Sequence, residues 1–205
     1  MEETPSAELS DPFRGVVAML RFNRETLLVA AVGVLWCSVV AADVDSGPAV
    51  DNPTPEMKVY AVTGDVTDKE VDYTEQRDGK PTIWMFVPTD KWSRPVARLM
   101  RELDTNLKDV SDDAYIVAVW LTDDQFKTKD YLPRAQQSLK LGHTALTFYQ
   151  GKPTGPADWG INPDADVTVV VTAGGKIKAT WGFVSANETV AEDVLETLKT
   201  DGDGS

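Results

Sequence analysis

Residues 83–103 read IWMFVPTDKWSRPVARLMREL, and this stretch decides the fold. Its first five residues are apolar without interruption, which is typical of a strand buried on both faces of a sheet. Apolar side chains then recur with helical spacing, at Trp92, Val96, Leu99, Met100, Leu103 and Leu107. Pro95 fits such a helix only in its first turn, so the N-cap is Trp92 or Ser93, and Ser93 is the better chemical candidate. The stretch predicts a buried strand, a short turn and an amphipathic helix.

The other predicted strands are short apolar segments at residues 58–62, 115–121, 144–149, 167–172 and 177–183. Residues 115–121 are apolar throughout, which predicts a second central strand. Gly174 and Gly175 join the last two strands, because glycine readily adopts the positive φ angles of a tight hairpin turn. Residues 64–80 are mostly polar and predict a connection that ends in an Asp-Gly turn.

Two further helices are predicted after the second central strand. Pro133 favours a helix start, so a helix is expected over residues 134–141, where Gly142 ends it. Ser185 and Glu188 have the spacing of a capping box and predict the start of a final helix. The elements thus alternate between strand and helix before a hairpin and a closing helix.

Composition and charge limit the kind of protein. A chain of 205 residues with 42% hydrophobic and 26% charged residues suits one soluble domain with extensions. The net charge is −13, of which the first 42 residues contribute −2, so the remainder carries −11. An acidic surface repels a phosphate backbone, and no nucleic-acid partner is predicted.

The N-terminal region has the pattern of an export signal. Residues 26–42 are uncharged and mostly apolar, Arg21 and Arg24 precede them, and small residues occupy 40–42. We expect residues 1–42 to be a signal peptide with a possible true start at Met19, or alternatively a retained N-terminal anchor. Both place the domain outside the cytoplasm, as a periplasmic, secreted or membrane-anchored protein. Residues 43–57 are interpreted as a flexible linker, 58–200 as the domain and 201–205 as a disordered tail.

The cysteine count excludes disulfide chemistry within the expected mature chain. Cys37 is the only cysteine, and Trp36 stands where a lipoprotein signal needs a small residue. Cleavage after Ala42 would leave no thiol, hence no intramolecular disulfide and no Cys/His metal cluster. Neither a metal nor a cofactor is predicted.

Several short motifs occur in one order along the chain. They are Trp92-Ser93-Arg94-Pro95-Val96, Trp159-Gly160-Ile161, Val167-Thr168 and Gly174-Gly175-Lys176-Ile177. Together they resemble the thioredoxin-like superfamily, in its thiol-disulfide oxidoreductase and peroxiredoxin-like branch. The resemblance implies an α/β three-layer sandwich with a central mixed sheet, a C-terminal β-hairpin and a closing helix.

The same motifs depart from the family at its reactive positions. Ser93 and Val96 stand where the resemblance places the two redox cysteines, and Val167 stands where it places a cis-proline before Thr168. A cysteine at a helix N-terminus becomes a thiolate, whereas a serine hydroxyl stays protonated unless a base lies beside it. The only histidine, His143, is interpreted as a loop residue, and Ser93 as a structural helix cap. No catalytic residue is predicted.

The remaining candidates suggest binding and not catalysis. Packing is the favoured interpretation of Trp92 and Trp159, and the alternative is that Trp92, Arg94 and Trp159 form a contact surface around the degenerate site. The acidic pairs at 112–113 and 123–124 are interpreted as turn or cap residues. We predict an exported, non-catalytic binding or structural module with an unidentified protein or peptide partner; a membrane is a partner only if the N-terminal segment is retained. The alternative is an oxidoreductase family member, or a redox-complex subunit, that acts without its own thiols.

Overall fold

The computed structural model describes residues 44–199. Its strands are β1 (Lys58–Ala61), β2 (Lys69–Asp72), β3 (Thr82–Pro88), β4 (Tyr115–Leu121), β5 (Thr144–Phe148), β6 (Val167–Ala173) and β7 (Lys176–Phe183). Its helices are α1 (Tyr73–Arg77), α2 (Arg94–Asn106), α3 (Gln125–Leu139) and α4 (Ala191–Lys199). The predicted signal peptide, its cleavage site and the tail at 201–205 lie outside the described residues. Within those residues, no helix is both long and apolar enough to cross a bilayer.

The strands form one mixed sheet in the order β2-β1-β5-β4-β3-β6-β7. β3 pairs in parallel with β4, and β4 with β5, while β6 runs antiparallel on the other side of β3. Every residue of β4 is buried, as is every residue of β3 except Pro88, which explains their uninterrupted apolar sequences. The predicted mixed α/β sheet with two central strands is confirmed.

Alternating side chains of the sheet enter two apolar clusters, one on each face. Met85 and Val87 of β3 join the cluster that contains α2, α3 and α4. Trp84 and Phe86 point the other way and join Tyr73 of α1 in the second cluster. The sheet is therefore the middle layer of three, as the predicted sandwich requires, and α4 closes it.

The hairpin turn and the final helix test two local predictions. Gly174 and Gly175 have φ angles of +60° and +73°, so the predicted Gly-Gly turn is confirmed. The predicted capping box is wrong, because Asn187 precedes the first helical turn and its side chain accepts a hydrogen bond from the Thr189 N–H at 2.9 Å. Asparagine and serine cap equally well, and the geometry of the chain leaving β7 decides between them.

Helix α3 corrects the predicted helix at 134–141. It begins at Gln125, and Asp124 caps it by accepting a hydrogen bond from the Lys127 N–H at 2.9 Å, so Pro133 lies inside the helix. The buried side chains Thr128, Leu132 and Ala135 have helical spacing on both sides of this proline. The free energy gained by burying that face of the helix offsets the cost of the backbone hydrogen bond that proline cannot donate.

Residues 64–80 also contain more structure than predicted. β2 adds an edge strand, and Asp72 then caps α1 by accepting hydrogen bonds from the N–H groups of Thr74 and Glu75, at 2.9 and 3.2 Å. The burial of Tyr73 fixes this short helix to the sheet. A single aromatic anchor in a polar stretch gives no periodic pattern, so the sequence did not indicate these elements.

Residues 44–57, which we call the strap, are folded and are not the predicted flexible linker. The strap runs antiparallel to β7, with bridges from Val44 to Gly182 and from Pro53 to Lys176. Ser46 is buried, and its hydroxyl hydrogen-bonds that of Thr168 at 2.7 Å. The folded part of the chain therefore includes residues 44–57 ahead of Lys58.

Gly182 should be essential for seating the strap. A Cβ atom at this position would lie 2.5 Å from the Val44 carbonyl oxygen and 2.7 Å from Ser46 Cβ. We expect Gly182→Ala to displace the start of the strap while the sheet persists, since the clash is with strap atoms. Amide hydrogen exchange should then speed up at residues 44–47 and stay unchanged in β4. Gly142→Ala is the control, because no heavy atom lies within 4 Å of the added methyl group there and its φ angle is not in the left-handed region.

The stability of the fold should fall at alkaline pH because of Tyr73. Its hydroxyl is buried without a hydrogen-bond partner among the described residues, and burial raises its pKa well above the usual 10.0, with smaller effects of Tyr115 and Asp65. The native state thus disfavours the phenolate, so this contribution is intact below about pH 10 and is lost as the pH rises further. We expect Tyr73→Phe to flatten the decline in unfolding free energy above about pH 10, measured by denaturant titration. An equally steep decline in the variant would contradict this assignment.

Candidate functional site

The candidate site lies at the carboxyl ends of β3 and β4, where α2 and α3 begin. A 3₁₀ turn, Thr89–Lys91, leads from β3 to α2. The Thr89 hydroxyl donates a hydrogen bond to the Leu121 carbonyl at 2.9 Å, and Lys91 forms an ion pair with Asp166 at 3.3 Å. These contacts fix the turn to the end of β4 and to the residue before β6.

Trp92 is the central aromatic residue of this site. Its indole ring is half-buried and packs edge-on against Trp120, with the ring centroids 5.0 Å apart. Its Nε1–H donates a hydrogen bond of 2.7 Å to the hydroxyl of Tyr131 on α3. Trp92 therefore packs against the core through Trp120 and connects the start of α2 to α3 through Tyr131.

Ser93 occupies the predicted N-cap position but does not cap with its side chain. The residue has extended backbone angles, and its carbonyl accepts the Ala97 N–H at 3.0 Å, yet its hydroxyl makes no cap hydrogen bond. Arg94 and Pro95 follow in the first helical turn, as predicted. The proposed capping role of the hydroxyl is therefore wrong, and Ser93 lies exposed at the helix start.

Two grooves open on either side of the pair formed by Trp92 and Tyr131. The larger, of about 1020 Å³, is lined by Thr89, Trp92, Trp120, Thr122, Asp123, Asp124, Gln125, Phe126, Lys127, Thr128, Asp130, Tyr131 and Arg134. The smaller, of about 530 Å³, is lined by Trp92, Ser93, Arg94, Ala97, Tyr131, Arg134, Ala135, Ser138 and Leu139. Phe126 and Tyr131 were not predicted as site residues, because the helix that carries them was started too late. Arg134 lay within the predicted helix, but no sequence pattern linked it to the start of α2.

Trp159 is a packing residue, as the favoured interpretation predicted, and the alternative contact surface of three residues is wrong for Trp159. Its side chain is completely buried in the cluster on the opposite face of the sheet, 5.0 Å from Trp84 and 5.0 Å from Phe86 between ring centroids. Its Nε1–H donates to the Glu56 carbonyl of the strap at 3.0 Å. The strap covers this tryptophan, and the loop sequence alone did not indicate such a cover.

Solved structures provide the comparison with known proteins, since no family model and no curated protein sequence matches the chain. A putative thiol:disulfide interchange protein DsbE from Chlorobium tepidum superposes with a TM-score of 0.56 at 14% identity, over 75% of this chain and 97% of that chain. The chain has a thioredoxin-like fold. Peroxidoxin BcpB from Mycobacterium tuberculosis superposes with a TM-score of 0.53 at 11% identity, over 75% of this chain and 97% of that chain. BsSco, a member of the Sco family of cytochrome c oxidase assembly proteins, superposes with a TM-score of 0.54 at 14% identity, over 76% of this chain and 96% of that chain.

In this thioredoxin-like domain, two of the positions that the sequence resemblance predicted as a degenerate redox site are part of the core. Val96 is 1% exposed and Val167 is 0% exposed, and both belong to the apolar cluster between the sheet and α2. Valine has neither a thiol nor a polar group, so both positions contribute packing alone. The described residues contain no cysteine.

Thr168 and His143 are both directed away from the degenerate site. The Thr168 hydroxyl faces the opposite side of the sheet, where it contacts Ser46. His143 precedes β5 at the amino edge of the parallel strands, level with Thr82, whereas Ser93 follows their carboxyl edge. About six residues of strand, or roughly 20 Å, separate the two edges, so His143 cannot act as a base for the Ser93 hydroxyl.

Proposed function

We propose that this protein is a non-catalytic thioredoxin-like binding module of the cell envelope, and that its contact surface surrounds Trp92. The observation that supports this most directly is the burial of Val96 and Val167 as core residues beside a helix start that carries Ser93. Thiol-disulfide exchange needs an attacking thiolate and a second sulfur, and neither position offers one.

The hydroxyl that remains is also unsuited to covalent catalysis. Ser93 lies exposed, and among residues 44–199 no titratable side chain hydrogen-bonds its hydroxyl. A serine nucleophile needs a base within hydrogen-bond distance and a third group that orients this base. The absence of both favours binding over catalysis at this position.

Exposed aromatic side chains support a binding role for the same region. Phe126 is 79% exposed and Tyr131 is 40% exposed, and both line the larger groove. Aromatic residues that project from a soluble protein commonly serve as anchors for a partner. Export is proposed from the basic and apolar pattern of residues 19–42.

Insulin-disulfide reduction and peroxide consumption test the absence of thiol catalysis. We expect the full chain, purified in mild detergent, to match the rate of the reductant alone in both assays. The double variant Ser93→Cys and Val96→Cys serves as the positive control, because it restores a thiol pair at a helix N-terminus and should gain insulin reduction. Robust turnover by the native chain would instead favour the redox alternative.

Capture of partners from a native envelope extract tests the proposed surface. We expect Trp92→Phe, which removes the hydrogen bond to Tyr131, and Arg94→Gln to recover less of the partners that the native chain captures. Arg98→Gln is the matched control, since Arg98 lies one turn along the same helix and pairs with Glu188 at 3.2 Å, outside both grooves. Equal recovery by all the variants would place the contact surface elsewhere on the domain.

A further inference from the structure

The two grooves beside Trp92 and Tyr131 differ in charge, and this difference indicates what they bind. We propose that they bind an extended peptide segment that carries an apolar side chain and, a few residues away, a carboxylate. The apolar side chain lies in the larger groove and the carboxylate in the smaller one. The inference rests on the proposed binding function and adds the chemistry of its partner.

The larger groove is suited to an apolar side chain. Trp120 forms a buried part of its lining, Trp92 stands at one side, and the exposed ring of Phe126 stands at another. Within residues 44–199 four large hydrophobic side chains are exposed, and two of them, Phe126 and Tyr131, line this groove. A partner side chain that covers them removes apolar surface from water on both molecules.

The smaller groove is suited to a carboxylate. Arg94 and Arg134 line it, and no acidic side chain does so among the described residues. None of the ion pairs formed within residues 44–199 involves either guanidinium group. Arg134 donates only its Nε–H, to the Asp130 carbonyl at 3.2 Å, so most of its donors remain available for a bidentate carboxylate contact.

The charges of the two grooves decide which of them takes the carboxylate. Arg134 lines both grooves, and without it the larger groove carries −2, from three aspartates and Lys127, whereas the smaller carries +1, from Arg94. A carboxylate is therefore favoured on the α2 side and disfavoured beside Phe126. The domain as a whole is acidic, but charges more than about 8 Å away are largely screened at physiological salt, so the two local arginines dominate.

Titration calorimetry of the full chain with defined pentapeptides tests the inference. The probe is acetyl-Gly-Leu-Gly-Glu-Gly amide, compared with one peptide that has Gln for Glu and another that has Ser for Leu. We expect the first to bind and each of the others to bind about tenfold more weakly, which corresponds to ~1.4 kcal/mol. Each of three substitutions in the protein should weaken binding of the first peptide by a similar factor: Arg94→Gln, Arg134→Gln and Phe126→Ser.

Two control variants remove the same chemistry elsewhere on the domain. Arg98→Gln removes an arginine from α2, and Val50→Ser removes an exposed apolar side chain from the strap; neither residue lines a groove. Both should leave peptide binding unchanged. The inference is overturned if the probe does not bind up to about 5 mM, if the Gln peptide binds equally well, or if the arginine variants bind normally.

The outcomes separate this inference from the proposed function. Suppose that the native chain captures partners, that Trp92→Phe loses them, and that the peptide tests fail. This result would support the proposed binding module and reject the peptide as its ligand. Thiol turnover by the native chain would reject the proposed function itself. Arginine-dependent binding of phosphatidylglycerol vesicles in place of the peptide would also overturn the inference, because the anion would then be a lipid headgroup.

Discussion

Asp104→Asn is expected to lower the free energy of unfolding by about 2–3 kcal/mol, although the change removes only a charge and one acceptor. The Asp104 carboxylate is 5% exposed within α2. It accepts hydrogen bonds from the N–H groups of Gly142 and His143, at 2.9 and 2.8 Å, and from the Thr144 hydroxyl at 2.6 Å. The NH₂ group of an asparagine would face one of these three donors, and that donor would then have no acceptor.

Denaturant titration measures this loss, and Glu102→Gln provides its control. Glu102 lies on the same helix, but its carboxylate is exposed and accepts only from the Asn106 side chain, at 2.9 Å. Its replacement should change the unfolding free energy by less than about 0.5 kcal/mol. A similar effect of the two substitutions would show that Asp104 does not connect α2 to the start of β5.

Trp159→Ala should cost about 3–5 kcal/mol, which is the range for removing a fully buried aromatic side chain. The indole contacts Trp84 and Phe86 and also bonds to the strap through Glu56, so its loss should loosen the strap as well as the core. Thermal or chemical denaturation gives the stability, and hydrogen exchange at residues 44–57 gives the local effect.

Trp159→Phe separates the two contributions of this residue. Phenylalanine keeps much of the packing but lacks the Nε1–H bond to the Glu56 carbonyl and one ring of the indole, so we expect a smaller loss of stability, of about 1–2 kcal/mol. Faster exchange in the strap should persist in this variant. Normal exchange would mean that Ser46 and the backbone bonds hold the strap without the indole.

The sequence predicts those elements whose stabilising contacts produce a pattern. The buried residues Val96, Leu99, Met100 and Leu103 form the stripe that was predicted for α2. Asp104 lies beside them and accepts three hydrogen bonds that connect α2 to the start of β5, but its partners are about 40 residues further along the chain. A long-range hydrogen bond leaves no periodic signal, and sequence reasoning could not find it.

The same reason explains the mixed result at the candidate site. Trp92, Ser93 and Arg94 were placed correctly at the start of α2, because the strand–helix junction is clear in the sequence. Tyr131 and Phe126 were missed because Pro133 was given more weight than the buried stripe that continues across it. Trp159 was assigned to the wrong surface, because a polar strap held by backbone hydrogen bonds covers it.

The strap has a consequence for the order of events during biogenesis. Val44 pairs with Gly182, and the Val44 N–H donates a hydrogen bond to the Gly182 carbonyl at 3.1 Å. The predicted cleavage site after Ala42 is therefore only two residues along the chain from a residue that pairs with β7. A peptidase binds its substrate as an extended chain, and strap closure on β7 would withdraw these residues from it. If the chain is cleaved at this site, cleavage would have to precede closure of the strap on β7. A chain that folded too early would keep its leader, so the timing of strap closure would decide between a released and a tethered protein.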